Sequence, residues 1–196
     1  MTSQIKNVKV SVSVYFAAAL TFACIFAPGG YAPIGLLSCV LHECGHLAAV
    51  FALGGHITAV TLGAYGMRID KSNDVILSAN KEAAVAFAGP FVNLILTALG
   101  LAFKIRTLYL ANIAIAVFNL IPVESLDGYN IIYNLLCFKL EAKKLKAALN
   151  IISTAFLFVM FCLGFSVLLK SRYNFTVLAA AVYLSIRFVK SSHASV

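Results

Sequence analysis

The sequence predicts an all-α polytopic membrane protein with about six transmembrane helices. Of its 196 residues, 62% are hydrophobic and only 11% are charged, and a soluble domain of this size does not have that composition. Six apolar runs approach the ~20 residues that a bilayer crossing needs, although the fourth and sixth are short and must tilt. The apolar core of the first run follows Lys6 and Lys9 as in a signal peptide, but the length of this core favours a retained span. The runs are Val8–Ala27, Pro33–Leu53, Glu82–Phe103, Leu108–Ile121, Leu149–Leu169 and Phe175–Phe188.

The basic residues orient the chain in the membrane. They are scattered at the ends of the apolar runs, so the net charge of +8 does not indicate a nucleic-acid partner. With the N-terminus in the cytoplasm, all but four of the 15 Lys and Arg residues lie on the cytoplasmic side, as the positive-inside rule requires. We therefore expect an integral protein of the cell membrane with both termini in the cytoplasm. The four exceptions are Lys104, Arg106, Lys170 and Arg172.

The connection at residues 56–80 differs from the helical runs. β-Branched residues alternate with small or polar residues around Gly63 and Gly66, and a Ser-Asn-Asp turn follows at 72–74. This pattern predicts a short membrane-associated β-hairpin. A strand edge cannot face lipid, so we expect it at the interface or beside a cavity, where it could pair with an extended substrate segment. The alternative is a loop that only packs on the helices.

A His-Glu-Cys-Gly-His motif lies inside the second apolar run, at residues 42–46. Two histidines four residues apart share one helix face and can hold a single metal ion, with Glu43 beside the remaining coordination position. A carboxylate at bilayer depth costs at least about 2.5 kcal/mol, which indicates a functional role for Glu43. Cys44 points away from both histidines on a helix and is not expected to be a ligand. The motif predicts a metal-dependent hydrolase.

Asp127 is the predicted third ligand, since a catalytic zinc site normally takes three protein ligands. Pro122 breaks the fourth apolar run before it, and Gly128 permits a tight turn after it. A broken helix at membrane depth is tolerated where it lines a cavity. Two alternatives stay open: a solvated Asp127 that caps the following helix, and Glu124 as a competing ligand.

Three motifs together resemble those of the site-2 protease family of intramembrane zinc metalloproteases. They are His-Glu-Cys-Gly-His at 42–46, Ala-Gly-Pro-Phe-Val-Asn at 88–93, and Asn119…Pro122…Leu126-Asp127-Gly128. The resemblance covers residues 35–135, and the six-span layout is similar to the minimal branch that includes the sporulation factor-processing proteases. It implies one integral metalloprotease domain over residues 1–196, with a catalytic core at about 33–138.

The resemblance also assigns roles to the matching residues. It implies that Glu43 is the general base, which takes a proton from the attacking water and returns it to the departing amine. Asn93 and Asn119 are candidate donors to the oxyanion or to the substrate backbone, and helix–helix hydrogen bonding is the alternative for each. The implied ligands of one Zn²⁺ per chain are His42, His46 and Asp127.

The expected function is hydrolysis of a peptide bond in or near a transmembrane segment of a membrane-anchored protein, as in regulated intramembrane proteolysis. This function is compatible with a regulatory membrane partner. Ser125 and Tyr129 stand where the family often has Pro and Gly, which favours one alternative: a catalytically inactive zinc-binding scaffold or chaperone. A transporter is the other alternative, but the two halves of the chain show no internal repeat.

Overall fold

The computed structural model describes residues 2–5, 8–12, 31–63, 66–71, 77–124 and 126–194. Internal contacts divide the chain into two compact units, residues 1–118 and 119–196, and the single domain predicted for residues 1–196 stays a prediction. The described ranges contain four strands and six helices. The strands are β1 (Thr2–Ile5), β2 (Val8–Val12), β3 (Ile57–Gly63) and β4 (Gly66–Lys71). The helices are α1 (Tyr31–Ala52), α2 (Ala79–Ala102), α3 (Arg106–Asn119), α4 (Asp127–Leu136), α5 (Ala142–Ser171) and α6 (Thr176–Ala194).

Three of the described helices are long and apolar enough to cross a membrane: α1 from Pro33, α2 and α5. They correspond to the second, third and fifth predicted spans. α5 begins at Ala142, so most of the basic segment before the fifth span forms the first turns of the same helix. The fourth and sixth predicted spans form the shorter helices α3 and α6, of 14 and 19 residues. Six membrane crossings therefore remain a prediction.

The start of the first predicted span is wrong, because β2 occupies residues that were expected to be helical. Its valines alternate with Lys9 and Ser11, and this period of two favours a strand. β2 pairs antiparallel with β1 and parallel with β3. The rest of the predicted span, residues 13–27, lies outside the described residues. The all-α prediction thus missed a sheet of four strands in the order β1-β2-β3-β4.

β3 and β4 lie in the connection that was predicted to form a hairpin. They pair antiparallel from Ile57 opposite Lys71 to Gly63 opposite Gly66, with an irregularity between Ile57 and Ala59. The Ser-Asn-Asp turn predicted at 72–74 lies outside the described residues. Membrane association of this segment is still a prediction.

Gly45 allows α1 and α2 to pack closely. A Cβ atom at Gly45 would lie 2.8 Å from the carbonyl oxygen of Ala88 and 2.8 Å from Cγ2 of Val92. Small residues at such points let helix backbones approach each other in a membrane. A small apolar cluster joins the ends of these helices to β3, and its buried members are Val50, Ile57, Leu77 and Val85. The histidine face of α1 is thereby held against α2.

In the second unit, α4 packs on the first part of α5 through buried Tyr129, Leu145 and Leu149. α5 in turn packs on α6 at Gly164, where a Cβ atom would lie 2.8 Å from the backbone nitrogen of Leu178. The short helix α4, which begins at Asp127, is therefore held in place by its packing on α5.

Candidate metal centre

Two buried histidines face each other on α1. His42 is 5% exposed and His46 is 8% exposed, and their Nε2 atoms lie 3.2 Å apart. The rings are nearly perpendicular, at an interplanar angle of 83°. The four-residue spacing thus brings two imidazoles together at one point.

The other ring nitrogen of each histidine faces an oxygen that can only accept a hydrogen bond. His46 Nδ1 lies 2.8 Å from the carbonyl oxygen of Val85, so Nδ1 donates and carries the proton. Pro90 stands in the same helix as Val85 and cannot donate to the carbonyl of Ala86. α2 therefore lacks the backbone hydrogen bond to Ala86, the residue that follows the acceptor of His46.

His42 Nδ1 lies 2.5 Å from Oδ1 of Asn93. The amide orientation follows from the opposite side of Asn93, where Nδ2 faces the backbone carbonyl of Ser38 at 3.4 Å. A carbonyl cannot donate, so the Asn93 atom beside Ser38 is the nitrogen and the atom beside His42 is the oxygen. His42 Nδ1 therefore carries the proton of this ring as well.

Both Nε2 atoms consequently present lone pairs to the same point when the rings are neutral. Two lone pairs at 3.2 Å repel each other unless a cation lies between them. Zn–N bonds of about 2.0–2.1 Å at a tetrahedral angle place two ligand nitrogens about 3.3 Å apart, and the observed separation agrees with that value. The pair fits a shared metal ion.

Gly89 lies directly against this pair of nitrogens. A Cβ atom there would overlap Nε2 of His46 and lie 2.7 Å from Nε2 of His42. Only a residue without a side chain leaves space for an ion beside the two rings. Gly89 belongs to the Ala-Gly-Pro-Phe-Val-Asn motif, and the sequence analysis had not singled it out.

The other predicted residues have separate positions, Glu43 and Asn93 in the first unit and Asn119 at the start of the second. Glu43 is half-buried on α1 next to His42, and Cys44 is exposed. Asn93 is fully buried and uses its amide group between helices, which is the alternative that the sequence left open for it. Asn119 is the last residue of α3. The oxyanion role stays a prediction for both asparagines.

Asp127 is the first residue of α4, in the second unit. The residue at the N-cap position is Leu126, so Asp127 is not the capping residue of the alternative interpretation. A carboxylate in the first turn is favoured by the positive end of the helix dipole. A Cβ atom at Gly128 would overlap the carbonyl oxygen of Leu120, so the turn before α4 closes tightly on itself.

Ser153 of α5 fastens this turn. Its hydroxyl donates to the carbonyl of Pro122 at 3.0 Å and accepts from the backbone N–H of Glu124 at 3.2 Å. Ser153 is fully buried. The two bonds fix the backbone just before Asp127, and the nature of the residue at position 153 therefore affects where that carboxylate stands.

We expect Ser153→Ala to lower the free energy of unfolding by about 1–3 kcal/mol, because two backbone groups of the turn lose a buried partner. Ser166→Ala is the matched control, since the exposed Ser166 hydroxyl donates only within its own helix, to Cys162. Thermal unfolding in detergent measures both. Equal stability of the two variants would contradict the fastening role.

Tyr129 replaces the glycine that the family often has after Leu-Asp-Gly. Its side chain is 7% exposed, and burial, followed by the nearby Glu124 and Tyr133, raises the pKa of Tyr129 to about 12. The phenol therefore stays neutral at physiological pH and serves as a packing residue between α4 and α5. The second departure, Ser125, lies outside the described residues.

Four residues around the histidines were not predicted from the sequence: Ser38, Val85, Gly89 and Asn112. Asn112 could have been identified from the sequence, because an amide inside an apolar run is costly unless it is hydrogen-bonded. Val85 contributes only its backbone carbonyl, so its side chain carries no signal.

Comparisons with known proteins agree with the predicted fold. The site-2 protease from Methanocaldococcus jannaschii superposes with a TM-score of 0.66 over 94% of this chain and 91% of the other, at 20% sequence identity. This chain has the site-2 protease fold. The sequence-based resemblance to that family is therefore confirmed at the level of the fold.

A sequence relative adds a second comparison. A Synechocystis protein, named provisionally as a zinc metalloprotease, is 36% identical over an alignment of 110 residues that covers 48% of this chain. The chain spans 28% of that protein's length. No family model matches the sequence. The site-2 protease fold and the metalloprotease relative thus both agree with the resemblance seen in the sequence motifs.

Proposed function

We propose that this chain is a site-2 protease: an intramembrane zinc metalloprotease that hydrolyses a peptide bond in or near a transmembrane segment of a membrane-anchored protein. The observation that carries the proposal is the pair of histidine Nε2 atoms 3.2 Å apart, each with its Nδ1 bonded to an acceptor. This arrangement prepares both rings as metal ligands before any metal binds. The fold and the metalloprotease relative support the same assignment.

The proposed ligands of one zinc ion are His42, His46 and Asp127. Support for the two histidines comes from their Nε2 atoms, which lie 3.2 Å apart, and support for Asp127 comes from its place in the Leu-Asp-Gly motif. Two imidazoles and one carboxylate are a common ligand set of catalytic zinc, and they leave a position for water. Several divalent metals suit such ligands on affinity alone, so the test below measures zinc directly.

Glu43 is the proposed general base. A bound zinc ion would lower the pKa of a water molecule toward about 7 and polarise the scissile carbonyl. Glu43 takes the proton of the attacking water and later gives it to the departing amine. His42 and His46 keep their protons on Nδ1 throughout, because those protons are held by Asn93 and Val85.

The membrane setting follows from the apolar helices. α1 carries the histidines and is one of the candidate spans, so we place the reaction within the bilayer, with water reaching it from the cytoplasmic side. The substrate helix must unwind locally, because a helical peptide hides its carbonyls in hydrogen bonds. Cytoplasmic termini and a cell-membrane location are part of this proposal.

The test uses the purified full chain in detergent, with zinc content and cleavage of a panel of single-span substrates as readouts. We expect wild type to cleave, to lose activity when a chelator removes zinc, and to regain it with added zinc. Asp127→Asn should weaken zinc binding by roughly tenfold, because a neutral amide oxygen replaces a charged ligand.

Two results would separate the alternatives. A wild-type protein that binds zinc tightly and cleaves nothing favours the scaffold or chaperone of the same fold. Unchanged zinc affinity in Asp127→Asn would remove Asp127 from the ligand set.

A further inference from the structure

The histidine pair is backed by a buried network of amides and a hydroxyl that spans three helices. Asn93 of α2 and Asn112 of α3 are both 0% exposed, and Ser38 of α1 is 1% exposed. Asn93 Nδ2 donates to Oδ1 of Asn112 at 2.8 Å, and Asn112 Nδ2 donates to Oγ of Ser38 at 2.9 Å. All three side chains belong to the first unit.

From this network we propose that Asn112 is a positioning residue for the metal centre. It fixes the orientation of the Asn93 amide and thereby the tautomer of His42. The inference rests on the metal centre of the proposed function, but it does not require that the protein be a peptidase.

The orientation of Asn112 is set by a group that cannot reverse its role. Asn112 Nδ2 lies 2.9 Å from the backbone carbonyl of Leu108, which can only accept. Ser38 Oγ donates its own proton to the carbonyl of Ile34 at 2.8 Å, so it too acts as an acceptor toward Asn112. The nitrogen of Asn112 must face these two groups, and its oxygen must face Asn93.

The oxygen of Asn112 then selects the orientation of Asn93. Its bond to Asn93 Nδ2 is 2.8 Å long, whereas the bond from the same nitrogen to the carbonyl of Ser38 is 3.4 Å, near the outer limit for a hydrogen bond. Asn112 is therefore the stronger of the two restraints. With the Asn93 nitrogen held there, Oδ1 faces His42.

The opposite orientation of the Asn93 amide would prevent His42 from binding a metal ion through Nε2. An amide nitrogen beside His42 Nδ1 would require a lone pair on Nδ1, and the ring proton would move to Nε2. That proton would then point at His46 Nε2, 3.2 Å away, and His42 could not bind a metal through Nε2. The partner of a ligating histidine's second nitrogen commonly fixes its tautomer in this way.

The test measures the ring nitrogens themselves. Protein labelled with ¹⁵N-histidine is prepared in detergent without metal, and ¹⁵N NMR shifts report which nitrogen of each ring is protonated. Zinc affinity is measured on the same samples. We expect wild-type His42 to be a single tautomer with the proton on Nδ1, and Asn112→Leu to show a mixture of both tautomers with zinc binding about tenfold weaker.

Several controls separate positioning from general destabilisation. Asn112→Asp keeps an oxygen toward Asn93 in either protonation state, so it should retain the wild-type His42 shifts. Thr97→Val removes another buried hydroxyl of α2, whose bond goes only to the backbone carbonyl of Asn93, and should leave the shifts unchanged. His46 is an internal control, since the carbonyl of Val85 fixes its tautomer independently.

The proposal is overturned if Asn112→Leu keeps the wild-type His42 shifts and zinc affinity, or if the shifts of His46 change together with those of His42. If Asn112→Leu does not fold, Asn112→Asp decides: wild-type shifts support the proposal, and mixed His42 tautomers overturn it. A wild-type protein that shows the expected tautomers and binds zinc but cleaves no substrate would refute the protease function alone.

Discussion

Replacing Glu43 by Gln is expected to lower peptide cleavage by about 10²–10⁴-fold and to leave zinc content unchanged. General acid–base catalysis by a positioned carboxylate contributes a factor of that size. The amide of Gln has nearly the same shape but cannot take up the proton of the attacking water. Glu43 lies between the two histidines in the sequence but is not itself one of the proposed ligands, so metal binding should survive.

The measurement is the initial rate of cleavage of one single-span substrate, with bound zinc determined on the same sample. Glu141→Gln is the matched control, because Glu141 makes only an exposed pair with Lys144 at 3.1 Å, and such surface pairs contribute little. Cleavage by Glu43→Gln within threefold of wild type would show that another group moves the proton. Loss of zinc in this variant would instead make Glu43 part of the metal site.

Gly89→Ala is expected to weaken zinc binding by about a hundredfold, or about 2.8 kcal/mol, and to abolish cleavage with it. The added methyl group would overlap Nε2 of His46 and approach Nε2 of His42 to 2.7 Å. Neither ring can retreat without breaking the bond of its Nδ1 to Asn93 or to Val85. The methyl group therefore occupies the space that the ion needs.

Gly35→Ala provides the control for the same substitution elsewhere. A Cβ atom at Gly35 of α1 meets no atom of the described residues within 4 Å, and alanine is the better helix former by about 1 kcal/mol. We expect wild-type zinc affinity and unchanged or slightly higher thermal stability. Zinc affinity of Gly89→Ala equal to that of Gly35→Ala would mean that no ion binds beside Gly89.

The sequence predicted the helices better than the strands. The second, third and fifth apolar runs became α1, α2 and α5 within a few residues at most boundaries, because long apolar runs have few other stable conformations in a membrane. The segment Val8–Val12 was read as helix because its hydrophobicity dominated the alternation of its side chains. Pairing with β3, about fifty residues later, could not be predicted from local pattern.

The candidate site was likewise predicted only in part: the two histidines were predicted from the sequence, and their buried neighbours were not. The spacing of His42 and His46 sufficed to predict two imidazoles at one point, since a helix repeats every 3.6 residues. Which atoms hold the far sides of the rings depends on how α2 and α3 pack against α1. Gly89 and Asn112 act through that packing, so a single sequence offers only weak signals for them.

The buried network of Ser38, Asn93 and Asn112 also constrains biogenesis. Each asparagine would be costly to expose alone to lipid, because the partners of the Asn93 amide lie on neighbouring helices and Asn112 has only the carbonyl of Leu108 as a partner within α3. α3 has 14 residues, fewer than an independent bilayer crossing needs. During synthesis α1, α2 and α3 are therefore expected to leave the insertion machinery as a group, so that the polar contacts which orient His42 form at the same time as the helices enter the membrane.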